Sequence, residues 1–144
     1  MKYNTLQQLS IFLENKIGSL YEIMDILSNA NIRIIAATVA DTSEFGILRL
    51  ITSDNDKAYS LLRSAQKSAQ KSEVIAISCD SLAGAFYDEL KKFACEGVVV
   101  EYMYCFSVGS RAIMVVRVNN LEVAMQLIER EGIKSLTNDD LAQI

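Results

Sequence analysis

The sequence predicts an α+β protein made of two copies of one β-α-β-β-α-β unit, each an antiparallel sheet with both helices packed on one face. Three observations support this prediction. Apolar residues alternate with a period of two in some segments and recur with a helical period in others. The order of these segments restarts at residue 73. Finally, matching residues recur at a constant offset of 66 positions, as Gly18 and Gly84 do.

The first strand passes into the first helix at a single glycine, Gly18. Apolar residues alternate over positions 9–13 before it and recur at helical spacing over positions 20–27 after it. Glycine lets a ligand approach the backbone closely, and the free N–H groups of a first helical turn suit a carboxylate. The run 14–27 is therefore either a binding loop for a small anionic or zwitterionic molecule or only a tight connector.

A hairpin, a second helix and a polar stretch complete the first copy. Residues 32–40 are apolar and rich in isoleucine, and residues 45–52 form the return strand after a turn at 41–44. Ser53 or Asp54 can cap the helix that follows.

The polar residues 64–72 lie where a fourth strand belongs. Lys67 and Gln70 stand where the second copy has Ile133 and Leu136, so the apolar residues of such a strand are missing. We expect this strand to be short, irregular or absent, with an extension of the helix as the alternative.

The second copy repeats the whole order, which is that of ferredoxin-like folds. An unbroken offset that matches both loop glycines and the helix stripes indicates two homologous modules, divided into domains 1–72 and 73–144. The predicted elements of the second copy are a strand at 74–79, a loop at 80–84, a helix with Phe86, Leu90, Phe93 and Ala94 on one stripe, strands at 98–106 and 112–118, a helix with Ala124, Leu127 and Ile128, and a closing strand at 133–136.

Strand residues are apolar on both sides of each predicted sheet. A sheet with one face in water would alternate more cleanly between apolar and polar residues. We therefore expect the second face or the sheet edges to be covered by the other module or by a second chain, as in a homodimer.

Composition narrows the range of functions. A formal net charge of −4 without a cluster of lysine or arginine argues against nucleic acid and anionic membranes as partners. The chain has no histidine, which removes the common nucleophilic and metal mechanisms, so no catalytic residue, metal or cofactor is expected. Its three cysteines fit free thiols in a reducing cytoplasm, and neither a signal peptide nor a membrane span is expected.

The duplicated unit, with glycine between the first strand and the first helix of each copy, resembles the ACT-domain family of amino-acid-binding regulatory modules. The likeness is to small bacterial proteins made of two ACT domains, and it covers residues 8–140. The segments that carry it are Asn-Lys-Ile-Gly-Ser-Leu at 15–20, Ala-Asp-Thr-Ser-Glu-Phe-Gly-Ile-Leu-Arg-Leu at 40–50 and Glu-Tyr-Met-Tyr-Cys-Phe at 101–106.

The resemblance implies a ligand site at the interface between paired domains, between the strand-to-helix loop of one domain and the second strand of its neighbour. The ligand in that family is usually a free amino acid. The family commonly has proline before the loop glycine, where this sequence has Ile17 and Ala83. The implied site residues are Asn15, Lys16, Ile17, Gly18, Ser19 and Leu20 in the first loop, Leu82, Ala83, Gly84, Ala85 and Phe86 in the second, and the strand residues Ala37, Thr38, Val39, Glu101, Tyr102, Met103 and Tyr104.

The two loops are not expected to be equivalent. The first carries an amide and a cation, Asn15 and Lys16, where the second has Ser81 and Leu82. Because only the first loop adds a nearby positive charge in sequence, we expect it to bind a carboxylate more tightly.

Three classes of function remain open. The leading one is a regulatory module that binds an amino acid and acts on a metabolic enzyme. An interaction protein with the same fold and no working site is the alternative. A small enzyme and an RNA-binding protein are less favoured, although Tyr102, Tyr104 and Phe106 alternate along one strand as stacking residues can.

Overall fold

The computed structural model describes residues 4–41 and 44–144 and divides them into two compact units. The first unit comprises residues 7–72 and 138–143, and the second comprises residues 4–6, 73–137 and 144. Each is an antiparallel sheet packed against helices, so the predicted α+β class is confirmed. The domain division at residue 72 stays a prediction.

In the first unit the strands lie in the order β2-β3-β1-β4. Leu9 of β1 is opposite Leu50 of β3, and Ala37 of β2 is opposite the same residue on its other side. The elements are β1 (Leu6–Glu14), α1 (Ser19–Asn29), β2 (Ile34–Asp41), β3 (Phe45–Thr52), α2 (Asn55–Ser64), the first residues of β4 (Ala69–Asp80), and α5 (Asn138–Ala142).

The second unit has the equivalent order β5-β6-β4-β7. Ile77 of β4 is opposite Met114 of β6, which is opposite Cys105 of β5. Besides the rest of β4, its elements are α3 (Ala85–Cys95), β5 (Val100–Val108), β6 (Arg111–Val118), α4 (Leu121–Glu131) and β7 (Ser135–Leu136).

Each unit has its own core between the helices and one face of the sheet. The apolar helix stripes predicted from the sequence supply the helical half of each core because their side chains recur on one side. Fully buried members are Leu9, Ile11, Leu48, Leu50, Ala58 and Leu62 in the first unit, and Ile75, Ile77, Phe93, Met114, Val116 and Ala124 in the second.

The fourth strand of the first unit is present as the start of β4. The helix before it ends at Ser64, and Gln66 then takes a left-handed conformation with φ of 62°. Ala69 is buried in the core while Gln70 and Lys71 are exposed. A strand at a sheet edge that buries a single small residue leaves only a faint apolar pattern, which is why the sequence predicts it weakly.

The same backbone hydrogen bond positions both fourth strands. The N–H of Phe12 donates to the carbonyl of Ser68 at 3.1 Å, and the N–H of Ser78 donates to the carbonyl of Lys134 at 3.0 Å. Donors and acceptors are each 66 positions apart, so the internal repeat extends to individual hydrogen bonds.

The C-terminal helix α5 belongs to the first unit and has no predicted counterpart. Leu141 is fully buried there. The Asn138 side chain accepts from the N–H of Gln7 at 2.8 Å and donates to its carbonyl at 2.9 Å. A helix of five residues is too short to show a periodic pattern in the sequence.

Two sequence predictions extend over residues that the structure describes only in part. The turn at 41–44 includes positions 42 and 43, which lie outside the described residues. Within residues 4–41 and 44–144, no helix is long and apolar enough to cross a membrane.

Candidate functional site

Two loops of the same shape connect a strand to a helix, at residues 15–18 and 81–84. Gly18 has φ of 89° and Gly84 has φ of 85°, in the left-handed region that L side chains rarely adopt. A Cβ added at either position would meet no heavy atom within 4 Å. The loops therefore require glycine because of backbone conformation rather than crowding by the protein.

The helices that follow these loops begin differently from the other long helices. α2 is capped by Asp54, whose side chain accepts from the N–H of Lys57, and α4 is capped by Asn120, which accepts from Val123, both at 3.1 Å. α1 and α3 begin at glycine, and neither has a side-chain cap among the described residues. In the part of the chain that the structure describes, no side chain accepts a hydrogen bond from the first turn of α1 or of α3.

Open first turns leave backbone donors available. The N–H groups of Leu20 and Tyr21 in α1 have no acceptor among the residues that the structure describes, and neither do those of Phe86 and Tyr87 in α3. The dipole of each helix adds partial positive charge at this end. Such a pair of donors is suited to a carboxylate.

A cavity of about 300 Å³ lies beside the first loop, and five of its twelve lining residues are charged. Lys16 lines it and forms an ion pair with Glu14 at 3.2 Å between Nζ and Oε2. Lys67 lines it too and binds the carboxylate of Glu22. The hydrogen bond and the charge of Lys67 hold the pKa of Glu22 below its ordinary value.

An aromatic pair forms part of the lining of this first cavity. The rings of Phe12 and Phe45 have their centroids 5.2 Å apart at a tilt of 45°. Both side chains are exposed, so the lining of this cavity combines apolar rings with ionised groups.

A cavity of about 450 Å³ lies beside the second loop and is lined mainly by apolar side chains. It opens between the start of α3 and the last third of β5. Leu82, Phe86 and Tyr87 line it on the helix side, with Cys105 and Ser107 on the strand side.

A third cavity, of about 300 Å³, is the counterpart of the first cavity in the second unit. Asp80 and Asp88 line it at the positions that correspond to Glu14 and Glu22. Arg111 binds Asp80 there and also donates to the Ser78 carbonyl at 2.9 Å.

The prediction that only the first loop has a nearby cation is wrong, because Arg111 supplies one at the second loop from β6. The internal repeat does not predict this arginine, because the corresponding residue of the first copy is Phe45. The predicted advantage of the first loop then rests on Asn15 alone, because the charge of Lys16 is offset by Glu14.

Burial also perturbs one thiol near this third cavity. Cys79 is buried, and its pKa is raised mainly by burial and secondarily by the charge of Glu89. Cys95 and Cys105 are exposed free thiols.

The structure brings some of the predicted site residues to the cavities. Lys16 and Ser19 line the first, whereas Leu82, Gly84, Ala85 and Phe86 line the second and Ala83 lines the third. Four predicted residues of the first loop line none of these three cavities and are exposed or partly exposed, namely Asn15, Ile17, Gly18 and Leu20.

The predicted strand residues do not line the cavities beside the two loops. Ala37, Thr38 and Val39 are in the middle of β2. Glu101, Tyr102, Met103 and Tyr104 are in β5, and the second cavity is lined by the three residues that follow them. The site assignment as a whole stays a prediction.

Comparison with known proteins identifies the relatives of this chain. Residues 4–144 match a family described as an ACT domain pair. Protein BT0572 from Bacteroides thetaiotaomicron is 37% identical, and its crystal structure superimposes over 99% of each chain with a TM-score of 0.93. The resemblance inferred from the sequence is therefore confirmed.

More distant solved structures share the fold. The regulatory subunit of aspartate kinase from Thermus thermophilus, in a ligand-free form, is 12% identical with a TM-score of 0.60, over 90% of this chain and 93% of that one. The corresponding subunit from Thermus flavus is 13% identical with a TM-score of 0.59, over 90% and 93%. A comparison with curated proteins gives no match.

Proposed function

Because this chain belongs to the family of ACT domain pairs, we propose that it is a non-catalytic regulatory module that binds a free amino acid at the loops before α1 and α3. ACT domains are regulatory modules, and the aspartate kinase subunits that share this fold are regulatory subunits. The observation that carries the proposal is the pair of open helix starts, each preceded by a left-handed glycine and adjoining a cavity.

The unpaired N–H groups of each first turn would receive the ligand carboxylate. In the first loop these are the N–H groups of Leu20 and Tyr21, and the glycine before them leaves the backbone unobstructed by a side chain. A ligand ammonium group would compete with Lys16 for Glu14 at this loop. At the second loop, the ligand ammonium group would compete with Arg111 for Asp80.

Each site needs a further wall, because a small ligand binds well only when most of its surface is buried. Ile17 is fully exposed and Leu82 is 72% exposed, so the loops by themselves are open to solvent. We propose that a second ACT module, of this chain or of another copy, closes each site with a strand. The exposed Val39 of β2 and Met103 of β5 are apolar residues suited to such a contact.

The proposed assembly is a homo-oligomer, most simply a dimer, that acts on a metabolic enzyme in the cytoplasm. Free thiols at Cys79, Cys95 and Cys105 are compatible with that reducing compartment. Light scattering at micromolar concentration tests the assembly. A strictly monomeric particle would rule out pairing between chains.

A thermal-shift screen of the twenty amino acids tests ligand binding. A ligand at 100 times its dissociation constant stabilises the folded state by about 2.7 kcal/mol, which gives a clear rise in melting temperature. We expect at least one amino acid to produce such a rise. If none does, the chain is an interaction protein with the ACT fold and no working ligand site.

A further inference from the structure

We infer that the second loop selects a free amino acid with a bulky apolar side chain. This inference rests on the proposed function and adds the class of ligand. It follows from the position-by-position differences between the two loops and from the lining of the second cavity.

The second loop is less polar than the first at three matching positions, although it has the smaller Ala83 in place of Ile17. Compared with the first loop, the second has a leucine in place of a lysine, which removes a charge, and an alanine in place of a serine, which removes a hydroxyl group. It also has a phenylalanine in place of a leucine, which adds apolar surface. The pairs, with the first loop named first, are Lys16 and Leu82, Ser19 and Ala85, and Leu20 and Phe86.

The strand that faces the second loop has lost a charge as well. Ser107 of β5 occupies the position of Asp41 in β2. Cys105 occupies the position of Val39, and it lies on the helix side of the sheet because it pairs with Met114, a core residue. A free thiol behaves as a small apolar group with a weak S–H donor, so it adds no charge to this wall of the cavity.

The second cavity leaves apolar surface uncovered. Leu82 is 72% exposed and Tyr87 is 65% exposed, although both line it. An apolar side chain of a ligand would remove this surface from water together with its own. A cavity of about 450 Å³ has room for a large side chain as well as the α-carbon groups.

Electrostatics also disfavour a charged side chain in this cavity. Asp80 is the single ionised residue among the described residues that line it, and Asp80 is already paired with Arg111. A ligand cation or anion would therefore lose its hydration without gaining a free counter-charge. The first cavity contrasts with this because several ionised side chains line it.

The test titrates the full chain with L-phenylalanine, L-leucine, L-aspartate and L-lysine. Amide NMR shifts of Phe86 and Tyr87 report on the second loop, and those of Leu20 and Tyr21 report on the first. We expect L-phenylalanine or L-leucine to shift the amides of the second loop and L-aspartate and L-lysine not to do so.

Two variants sharpen the test. Leu82→Lys introduces the residue of the first loop at an exposed position, so the fold is retained, as an unchanged melting temperature will verify. It should weaken binding of the apolar amino acid about tenfold or more, the range that one apolar contact supplies in such a pocket. Gln126→Lys is the matched control, because it adds a lysine at an exposed position of α4 away from both loops, and it should leave this affinity unchanged.

The possible outcomes separate this inference from the proposed function. If a polar amino acid shifts the amides of Phe86 and Tyr87 and the apolar ones do not, the ligand class is wrong and the proposed function stands. Unchanged affinity of Leu82→Lys also overturns the ligand class. If none of the four amino acids shifts the amides of Phe86 and Tyr87, the inference fails. If, in addition, none of the twenty amino acids raises the melting temperature of the chain, the proposed function fails with it.

Discussion

Gly18 and Gly84 have nearly the same backbone conformation, with φ of 89° and 85°, although they are 66 positions apart in the sequence. Each ends a loop and begins an uncapped helix beside a cavity. Equal geometry at equivalent positions indicates that the duplication retained the loop as a unit, while the residues around it diverged in charge.

Replacement of either loop glycine by valine should abolish ligand binding at that loop in a protein that still folds. A β-branched residue at positive φ costs about 1–3 kcal/mol and shifts the backbone away from the geometry that exposes the N–H groups. Titration calorimetry on Gly18→Val and Gly84→Val measures the loss.

The matched control for this prediction is Gly97→Val. Gly97 also has positive φ, at 72°, with no heavy atom within 4 Å of a Cβ placed there, and it lies beyond the opposite end of α3. It should lose a similar amount of stability and keep ligand affinity. Unchanged affinity in both loop variants would mean that the ligand binds elsewhere.

Lys67→Met should raise the pKa of Glu22 towards its ordinary value of 4.5. The lysine lowers that pKa by a hydrogen bond and by its charge, so the variant removes both effects. An NMR titration of the Glu22 carboxyl carbon measures the change. Lys71→Met, which removes the ion pair with Asp56 instead, is the control and should leave the pKa of Glu22 unchanged.

The sign of the pH dependence follows from this lowered pKa. The folded state holds the Glu22 proton less tightly than the unfolded state does, so the ion pair stabilises the fold above about pH 4.5. This contribution is lost as the pH falls through the lower, folded pKa. A Lys67→Met protein with the same acid dependence as the original chain would contradict the assignment.

Alkylation by iodoacetamide at pH 8 should be slower at Cys79 than at Cys95 and Cys105. Burial shields the Cys79 thiol and raises its pKa above 9.0, so less reactive thiolate is present. Mass spectrometry of the peptides gives the three rates. In guanidinium the three thiols should react at similar rates, and a persistent difference there would point to a cause other than folding.

Leu141→Ala should destabilise the first unit by about 2–5 kcal/mol, since it removes a fully buried side chain. Denaturant unfolding measures the change. Gln143→Ala, an exposed neighbour in the same segment, is the control and should have little effect. Equal stabilities of the two variants would show that α5 contributes little to this unit.

The sequence predicts the repeated features of the fold well. Gly18 and Gly84, the helix stripes and most of the strands follow from periodicity and from the constant offset, because each copy supports the interpretation of the other. The helix α5 lies outside the repeat, and the start of β4 buries only Ala69, so neither leaves a clear pattern.

The candidate site is less predictable because it depends on residues distant in sequence. The loop segments are recognisable from their glycines. The ion pair of Asp80 with Arg111 joins two strands that are separated by a helix and another strand, and the first copy has Phe45 in place of the arginine. The charge of such a site is set by pairings that only the folded chain brings together.

The most direct test of the central claim follows the amides of Leu20, Tyr21, Phe86 and Tyr87 while an amino acid that stabilises the full chain is added. If a loop binds the ligand carboxylate, the two amides of that loop shift on titration and exchange more slowly with solvent, since each gains a hydrogen bond. A stabilising amino acid that leaves all four amides unchanged would contradict the account.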